Sequence, residues 1–448
     1  MWESVFLKRN LQALLFFGLL LFAFSCKTTE QFTRSELKDL KAVLDNSPVF
    51  QESFTGLVLR EPANGQILFE RNGSHYFTPA SNTKLLTLAA SNHFIKDRIP
   101  ALLYKVQGDS LIFQSFGDPT FLNENFQDLS STYYFLQSFP GKLFFDFSNF
   151  QTDAFGSGWM WDDFPYKFQA EKSPMPIYEN SVSFKKGKAD SLEVYPPYFK
   201  DFIQEVQAPE PTKISRAEND NVFLISETAT LPKPFERKIP FRYSHELLVQ
   251  LLSDTLDKQV QLWNGLDKPI GYKDTLFSWP VDTVFSFYMK ESDNLIAEQL
   301  LLLASQLKFG NQNTESIIKW AKDSILAEAP QKIYWSDGSG ISRYNLITPE
   351  TVSWLVFKLY HEMGEYRLKR ILPTGGQSGT IKNLYQSENP YIFAKTGSMR
   401  YVHNLSGLVY TRTGKPLIFS FMHNNFTVPQ STIKAEMEKV LIWIRDNY

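Results

Sequence analysis

Thr78-Pro79-Ala80-Ser81-Asn82-Thr83-Lys84-Leu85-Leu86-Thr87-Leu88-Ala89-Ala90 is the segment on which the reading turns. Ser81 and Lys84 place a hydroxyl and an amine three residues apart at the head of an apolar helical run. On a helix, i and i+3 share a face, so the amine can reach the hydroxyl. A free serine does not lose its proton at neutral pH, but a neutral lysine beside it can take that proton. A helix N-terminus also favours developing negative charge. Spacing alone decides little, because Ser-x-x-Lys occurs six times, starting at Ser35, Ser81, Ser183, Ser305, Ser316 and Ser431.

Two further elements narrow the choice. Ser292-Asp293-Asn294 precedes a strongly apolar helical run, Leu295 to Leu303. Lys395-Thr396-Gly397 ends a predicted strand, and Lys-Ser/Thr-Gly occurs once. In that order, Ser-x-x-Lys, Ser-Asp-Asn and Lys-Thr-Gly form the motif set of penicillin-binding proteins and class A β-lactamases. Only Ser35, Ser81 and Ser183 lie upstream of Ser292. Ser35 stands before the first predicted hairpin, and Ser183 runs into the polar stretch Phe184-Lys185-Lys186-Gly187-Lys188. Ser81 alone follows a strand and opens an apolar helix. Ser387-Glu388-Asn389, just before Pro390, reads as a turn.

The segment Pro79 to Leu85 resembles the active-site segment of the class C low-molecular-mass penicillin-binding proteins, the D-Ala-D-Ala carboxypeptidase/endopeptidases. So do Gly117-Asp118-Pro119-Thr120, Lys290 to Leu295, Asp337 to Arg343 and Leu372-Pro373-Thr374-Gly375-Gly376. The similarity runs from about residue 50 to the C-terminus in the family's order, and a large insert between the first two motifs is a family trait. The chain departs from the family in lacking disulfide cysteines and in its lipoprotein-like start.

The resemblance implies an α+β fold: a β-lactamase/transpeptidase-like domain, an antiparallel sheet flanked by helices, with a β-rich domain inserted between the first and second motifs. It implies that Ser81 attacks the carbonyl between two D-alanines of a peptidoglycan stem peptide and forms an acyl-enzyme. Lys84 would act as base, its pKa lowered by burial and by the charge of Lys395. The amides of Ser81 and Ser398 would form the oxyanion hole, and Ser292 would relay a proton to the leaving amine. Asn294 would hold the substrate amide, and Lys395, Thr396 and Gly397 the end of the substrate with its carboxylate. β-Lactams would acylate the same serine. Arg400 and Asp337-Gly338-Ser339-Gly340 are further candidates for the cleft, each with a plain surface or turn reading beside it.

A serine β-lactamase is the nearest alternative. Glu-x-x-Leu-Asn is absent, so the class A deacylating glutamate has no counterpart, although Tyr178-Glu179-Asn180 mimics a Tyr-x-Asn motif. A non-catalytic peptidoglycan-binding or β-lactam-sensing protein is the alternative from another class.

Around the motifs, the chain divides by texture. Ser35 is expected to cap a helix through Leu44, followed by strands Thr55 to Arg60 and Gln66 to Glu70. Ile392 to Lys395, Leu405 to Thr411 and Pro416 to Met422 read as strands, and Ile433 to Ile444 as a final amphipathic helix. The two ends are therefore expected to share one core, as residues 26–103 and 280–448 of a split catalytic domain. Residues 104–279 form the expected insert, with a helix from His245 to Leu256 and thirteen of the 39 phenylalanines between Phe113 and Phe168. That cluster reads first as core and second as a partner surface.

Composition sets outer limits. With 46 basic and 48 acidic residues in 448, the net charge of −2 leaves no footprint for nucleic acid. Hydrophobic content of 43% excludes a disordered chain. Six dispersed histidines show no i, i+4 pair, and one cysteine makes neither a disulfide nor a Cys-based metal site, so no metal or cofactor is expected. That cysteine, Cys26, follows Lys8, Arg9 and an apolar run Leu11 to Phe24, which is too short for the roughly 20 residues of a membrane span. Residues 1–25 read as a signal peptide. Ala23-Phe24-Ser25-Cys26 resembles a lipoprotein cleavage box, with Lys27 to Arg34 as tether. The expectation is an exported, periplasmic protein, lipid-anchored at Cys26.

Overall fold

The computed structural model describes residues 33–126, 131–187, 191–207, 214–226, 231–232, 234–265 and 270–448. Cys26 and the signal segment lie outside the described residues.

The two ends of the chain meet in one five-stranded antiparallel sheet. Its spatial order is Ile392–Met399, Val402–Tyr410, Pro416–Asn424, Phe54–Arg60 and Ile67–Arg71. Pairing of Leu57 with Phe421 across the third and fourth of these strands joins segments more than 350 residues apart in sequence. Both faces are covered, so the three central strands are buried along nearly their whole length. Alternation still assigns each side chain to a face. Leu417, Phe419 and Phe421 pack under the helices Arg34–Asp45 and Gln430–Asn447. Ile418 and Met422 pack on the opposite face, against Lys84–Phe94 and Pro349–Met363. The first helix is capped by Thr33 rather than Ser35: Thr33 Oγ accepts the Glu36 N–H and the Glu36 carboxylate accepts the Thr33 N–H. This reciprocal box satisfies two amides at once, which a cap at Ser35 does not.

The helix Asn294–Phe309 is buried along nearly its whole length, as an apolar run on all sides requires. Its four buried polar residues, Glu298, Gln299, Ser305 and Gln306, are all hydrogen-bonded, as burial demands.

Between these parts stand three small sheets. The strand Arg98–Gln107 pairs with Asp274–Pro280, so the two ends of the segment between them lie side by side. Ser110–Ser115, Lys142–Phe145 and Val260–Leu262 complete that mixed five-stranded sheet. Two three-stranded sheets follow, and all three share one core with the helix His245–Leu256, which is capped by Ser244. Within the phenylalanine cluster, Phe113, Phe116, Phe121, Phe126 and Phe145 are buried, as core packing predicts. Phe155 and Phe168 are exposed.

Candidate active site

Ser81 lies in a 3₁₀ turn, Ala80–Thr83, and the α-helix begins at Lys84. The sequence reading placed both on one helix. In the tighter turn, residues i and i+3 eclipse, which brings the amine onto the hydroxyl. Lys84 is fully buried, and its Nζ lies 3.1 Å from Ser81 Oγ, 2.6 Å from Asn294 Oδ1 and 2.8 Å from the Ser339 carbonyl. Burial lowers its pKa from 10.5 to about 8, while Asp293, Asp337 and Glu298 pull it partly back up. The attribution to Lys395 needs correction: repulsion between the two ammonium groups is felt at Lys395, which burial and then Lys84 hold well below the usual lysine range.

The three residues of Ser292-Asp293-Asn294 have separate structural tasks. Ser292 ends the helix Val281–Glu291 in the left-handed conformation, φ 58°. Such a residue costs on the order of 1 kcal/mol unless its surroundings enforce it. Asp293 caps the next helix by accepting the Ile296 N–H, 2.9 Å. Asn294 then opens that helix with its amide in the site, accepting from Lys84 and donating to the Phe168 carbonyl, 2.8 Å.

On the opposite side, Lys395 Nζ donates to Ser292 Oγ, 2.9 Å, and to the Thr396 carbonyl, 3.0 Å. Thr396 Oγ1 meets Thr380 Oγ1 at 2.7 Å. Gly397 must be glycine, because a Cβ there would lie 2.2 Å from the Pro79 carbonyl and 2.9 Å from the Asn82 amide. The strand thereby lies directly against the turn that carries Ser81. Asn82 pins that turn to the sheet by donating to Ser406 Oγ, 2.8 Å, and Asn404 donates to the carbonyls of Thr78 and Pro79. Ser398 is exposed at the strand end, with its Oγ 2.7 Å from His403 Nδ1. Burial pushes that histidine down to about 3, so its ring is neutral.

The sequence-predicted residues thus fall into two contact sets, Ser81–Lys84–Asn294 and Ser292–Lys395, with Thr396 and Gly397 beside the second. Asp337-Gly338-Ser339-Gly340 is no simple turn: its Ser339 carbonyl accepts from Lys84, and a Cβ on Gly340 would lie 2.0 Å from the Ala80 carbonyl. Glu298 holds this segment by accepting the N–H groups of Gly338 and Ser339 at 3.0 and 2.8 Å. Sequence reasoning missed Glu298, although it stands four residues after Asn294 and hence on the same helix face. It also missed Thr380 and the Phe168 carbonyl, for which no local signal existed. Arg400 is exposed, and its carbonyl accepts from Arg343. Tyr178 is engaged with Thr255, and Asn180 with Glu171 and Ser173.

The model of the D-Ala-D-Ala carboxypeptidase 3 (S13) family matches residues 36–445. The chain belongs to that family. Among curated S13-like relatives, it is 22% identical over 433 residues to the D-alanyl-D-alanine carboxypeptidase DacB of Haemophilus influenzae, spanning 88% of this chain and 90% of that protein. It is 24% identical over 446 residues to a D-alanyl-D-alanine carboxypeptidase of an Actinomadura species, spanning 88% and 81%. The crystal structure of penicillin binding protein 4 (dacB) from Haemophilus influenzae superposes with a TM-score of 0.71 at 22% identity, covering 92% of this chain and 99% of that one. The S13 fold is therefore present over nearly the whole described chain.

Among the described residues no helix is long and apolar enough to cross a membrane, and no group of His, Cys, Asp and Glu is arranged to hold a metal ion.

Proposed function

We propose that this S13-family chain is a serine D-alanyl-D-alanine carboxypeptidase/endopeptidase acting on peptidoglycan stem peptides through an acyl-enzyme on Ser81. The observation that carries this is the set of contacts around Lys84. A neutral lysine amine has two N–H donors and one lone pair. The Asn294 amide oxygen and the Ser339 carbonyl can only accept, so they take the two donors. The lone pair is left for the Ser81 proton, 3.1 Å away.

As Ser81 Oγ bonds to the scissile carbonyl carbon, its proton passes to Lys84. The amides of Ser81 and Ser398 receive the negative oxygen, each donor contributing roughly 3–4 kcal/mol. The C–N bond then breaks. The leaving amine takes a proton through Ser292, which Lys395 holds at 2.9 Å. Asn294 steadies the substrate amide, and Lys395, Thr396 and Gly397 receive the terminal carboxylate. Water releases the acyl group and restores the serine. β-Lactams present a similar carbonyl and acylate the same residue. A relative's crystal structure with a bound β-lactam is in keeping with this.

In this reading residues 26–103 and 280–448 form the catalytic domain around an insert of 104–279, and pairing of Arg98–Gln107 with Asp274–Pro280 supports a shared entry and exit. The chain is exported and acts in the periplasm, anchored by lipid at Cys26, as the basic start, short apolar run and single cysteine suggest. Labelled penicillin with intact-mass measurement tests the core claim. A slowly released adduct on Ser81, with D-Ala freed from a pentapeptide, is expected. Adduct formation by Ser81→Ala overturns the assignment, rapid penicillin turnover favours a β-lactamase, and adduct without peptide cleavage favours a sensor.

A further inference from the structure

A second groove, of about 590 Å³, lies beyond the carboxylate subsite. Phe393 lines it two residues before Lys395, hence on the same strand face and roughly 7 Å further along. One wall is the helix Val281–Glu291, which presents Asp282, Ser286 and Lys290 at successive four-residue steps. The other is the short helix Glu365–Ile371, with Lys369 and Arg370. A narrow rim separates the groove from Ser292. There Gly379 sits so close to Lys290 that a Cβ would approach its carbonyl oxygen to 2.8 Å. The next residue, Thr380, is the one that meets the Thr396 hydroxyl.

The groove is net cationic, and its charge is only partly offset locally. Asp282 is already matched by Arg367, whose Nη2 lies 2.7 Å and Nε 2.8 Å from Oδ1. Among the described residues Lys290, Lys369 and Arg370 make no ion pair. Lys369 lies over the rings of Phe393 and Tyr410, 4.6 and 4.3 Å from their centres, and Arg370 over Tyr366. Glu365, which feels the charge of Lys369, has its oxygens taken by the hydroxyls of Tyr360 and Tyr410.

We propose that this groove binds the departing stem peptide of a cross-link, an acidic peptide, and so makes cross-link cleavage the favoured reaction of the site. The inference rests on the Ser81 reading. In D-Ala release the departing residue ends at its carboxylate, held at Lys395 and Thr396, and nothing reaches past Thr380. In cross-link cleavage the departing amine belongs to a diamino acid that continues into a second stem peptide with free carboxylates. That chain leaves across the rim at Gly379 and lays its carboxylates against Lys290, Lys369 and Arg370. Partly exposed charge pairs of this kind contribute modestly each, so their effect on affinity is additive and salt-sensitive.

The test compares cross-linked muropeptide dimers with a pentapeptide, using the full chain and the double variant Lys369→Gln/Arg370→Gln. Cross-link kcat/KM is expected to fall about 3–10-fold, mainly through KM, and to lose most of its salt dependence. D-Ala release and penicillin acylation should stay within about twofold by the same reasoning. Arg370→Lys, which keeps the charge, should retain cross-link cleavage, and the exposed single variant Arg370→Glu should lower it if the double variant folds poorly. Unchanged cross-link cleavage with acylation intact overturns the groove alone. Parallel loss of both reactions in a folded double variant overturns it too. A native chain that neither acylates nor releases D-Ala overturns the Ser81 reading itself.

Discussion

Acylation of Ser81 is expected to accelerate with pH along a single ionisation near pH 8. Lys84 is useful as a base only when neutral. Burial favours the neutral form and brings its pKa to about 8, against the pull of Asp293, Asp337 and Glu298. The neutral fraction is then about one eleventh at pH 7, about half at pH 8 and about ten elevenths at pH 9. The acylation rate should rise about fivefold from pH 7 to pH 8 and less than about twofold from pH 8 to pH 9. Stopped-flow measurement of k2/K with a fluorescent penicillin, from pH 6 to pH 9.5, reads this directly. The same shift has a consequence for folding. Between pH 8 and 10.5 the unfolded chain holds a proton on Lys84 that the folded chain has released. Stability therefore rises with pH across that window, by up to about 3 kcal/mol. Urea unfolding at pH 7.5 and pH 10, compared with Lys84→Met, isolates that contribution, which the variant should lack. A flat rate profile, or a midpoint near the 10.4 of a free lysine, would refute the role assigned to burial.

Three other perturbations probe the framework around Ser81. Gly397→Ala forces a methyl against the Pro79 carbonyl, so acylation should fall at least about tenfold and stability by about 1–3 kcal/mol, read by penicillin labelling and thermal unfolding. Glu298→Ala leaves the buried amides of Gly338 and Ser339 without an acceptor, a loss of about 2–5 kcal/mol. Its Ser339 carbonyl should also drift from Lys84, moving the acylation midpoint as well as the melting temperature. Leu300→Ala opens a cavity at a fully buried position of the helix Asn294–Phe309 and should cost about 2–5 kcal/mol in urea unfolding, while the midpoint near pH 8 stays in place.

The sequence by itself determined the chemistry. Ser81-x-x-Lys84, Ser292-Asp293-Asn294 and Lys395-Thr396-Gly397 are local patterns, legible from residue type and spacing alone: an i, i+3 pair along a turn, the cap of a helix, and a Lys-Thr-Gly at the end of a strand. The strands at both ends were legible for the same reason, since alternation and turn residues are local. What only the tertiary structure decided involves atoms distant in the chain. The Ser339 and Phe168 carbonyls that flank the Lys84 and Asn294 side chains belong to the backbone, which every residue carries, so no residue type announces them. Glu298 lies within the apolar run Leu295 to Leu303 with nothing local to mark it, and its task comes from Gly338 and Ser339 packed against it. Likewise Lys84 and Lys395 are ordinary surface-type residues in a sequence. Their lowered pKa values follow from burial, which only the packing of sheet against helices imposes.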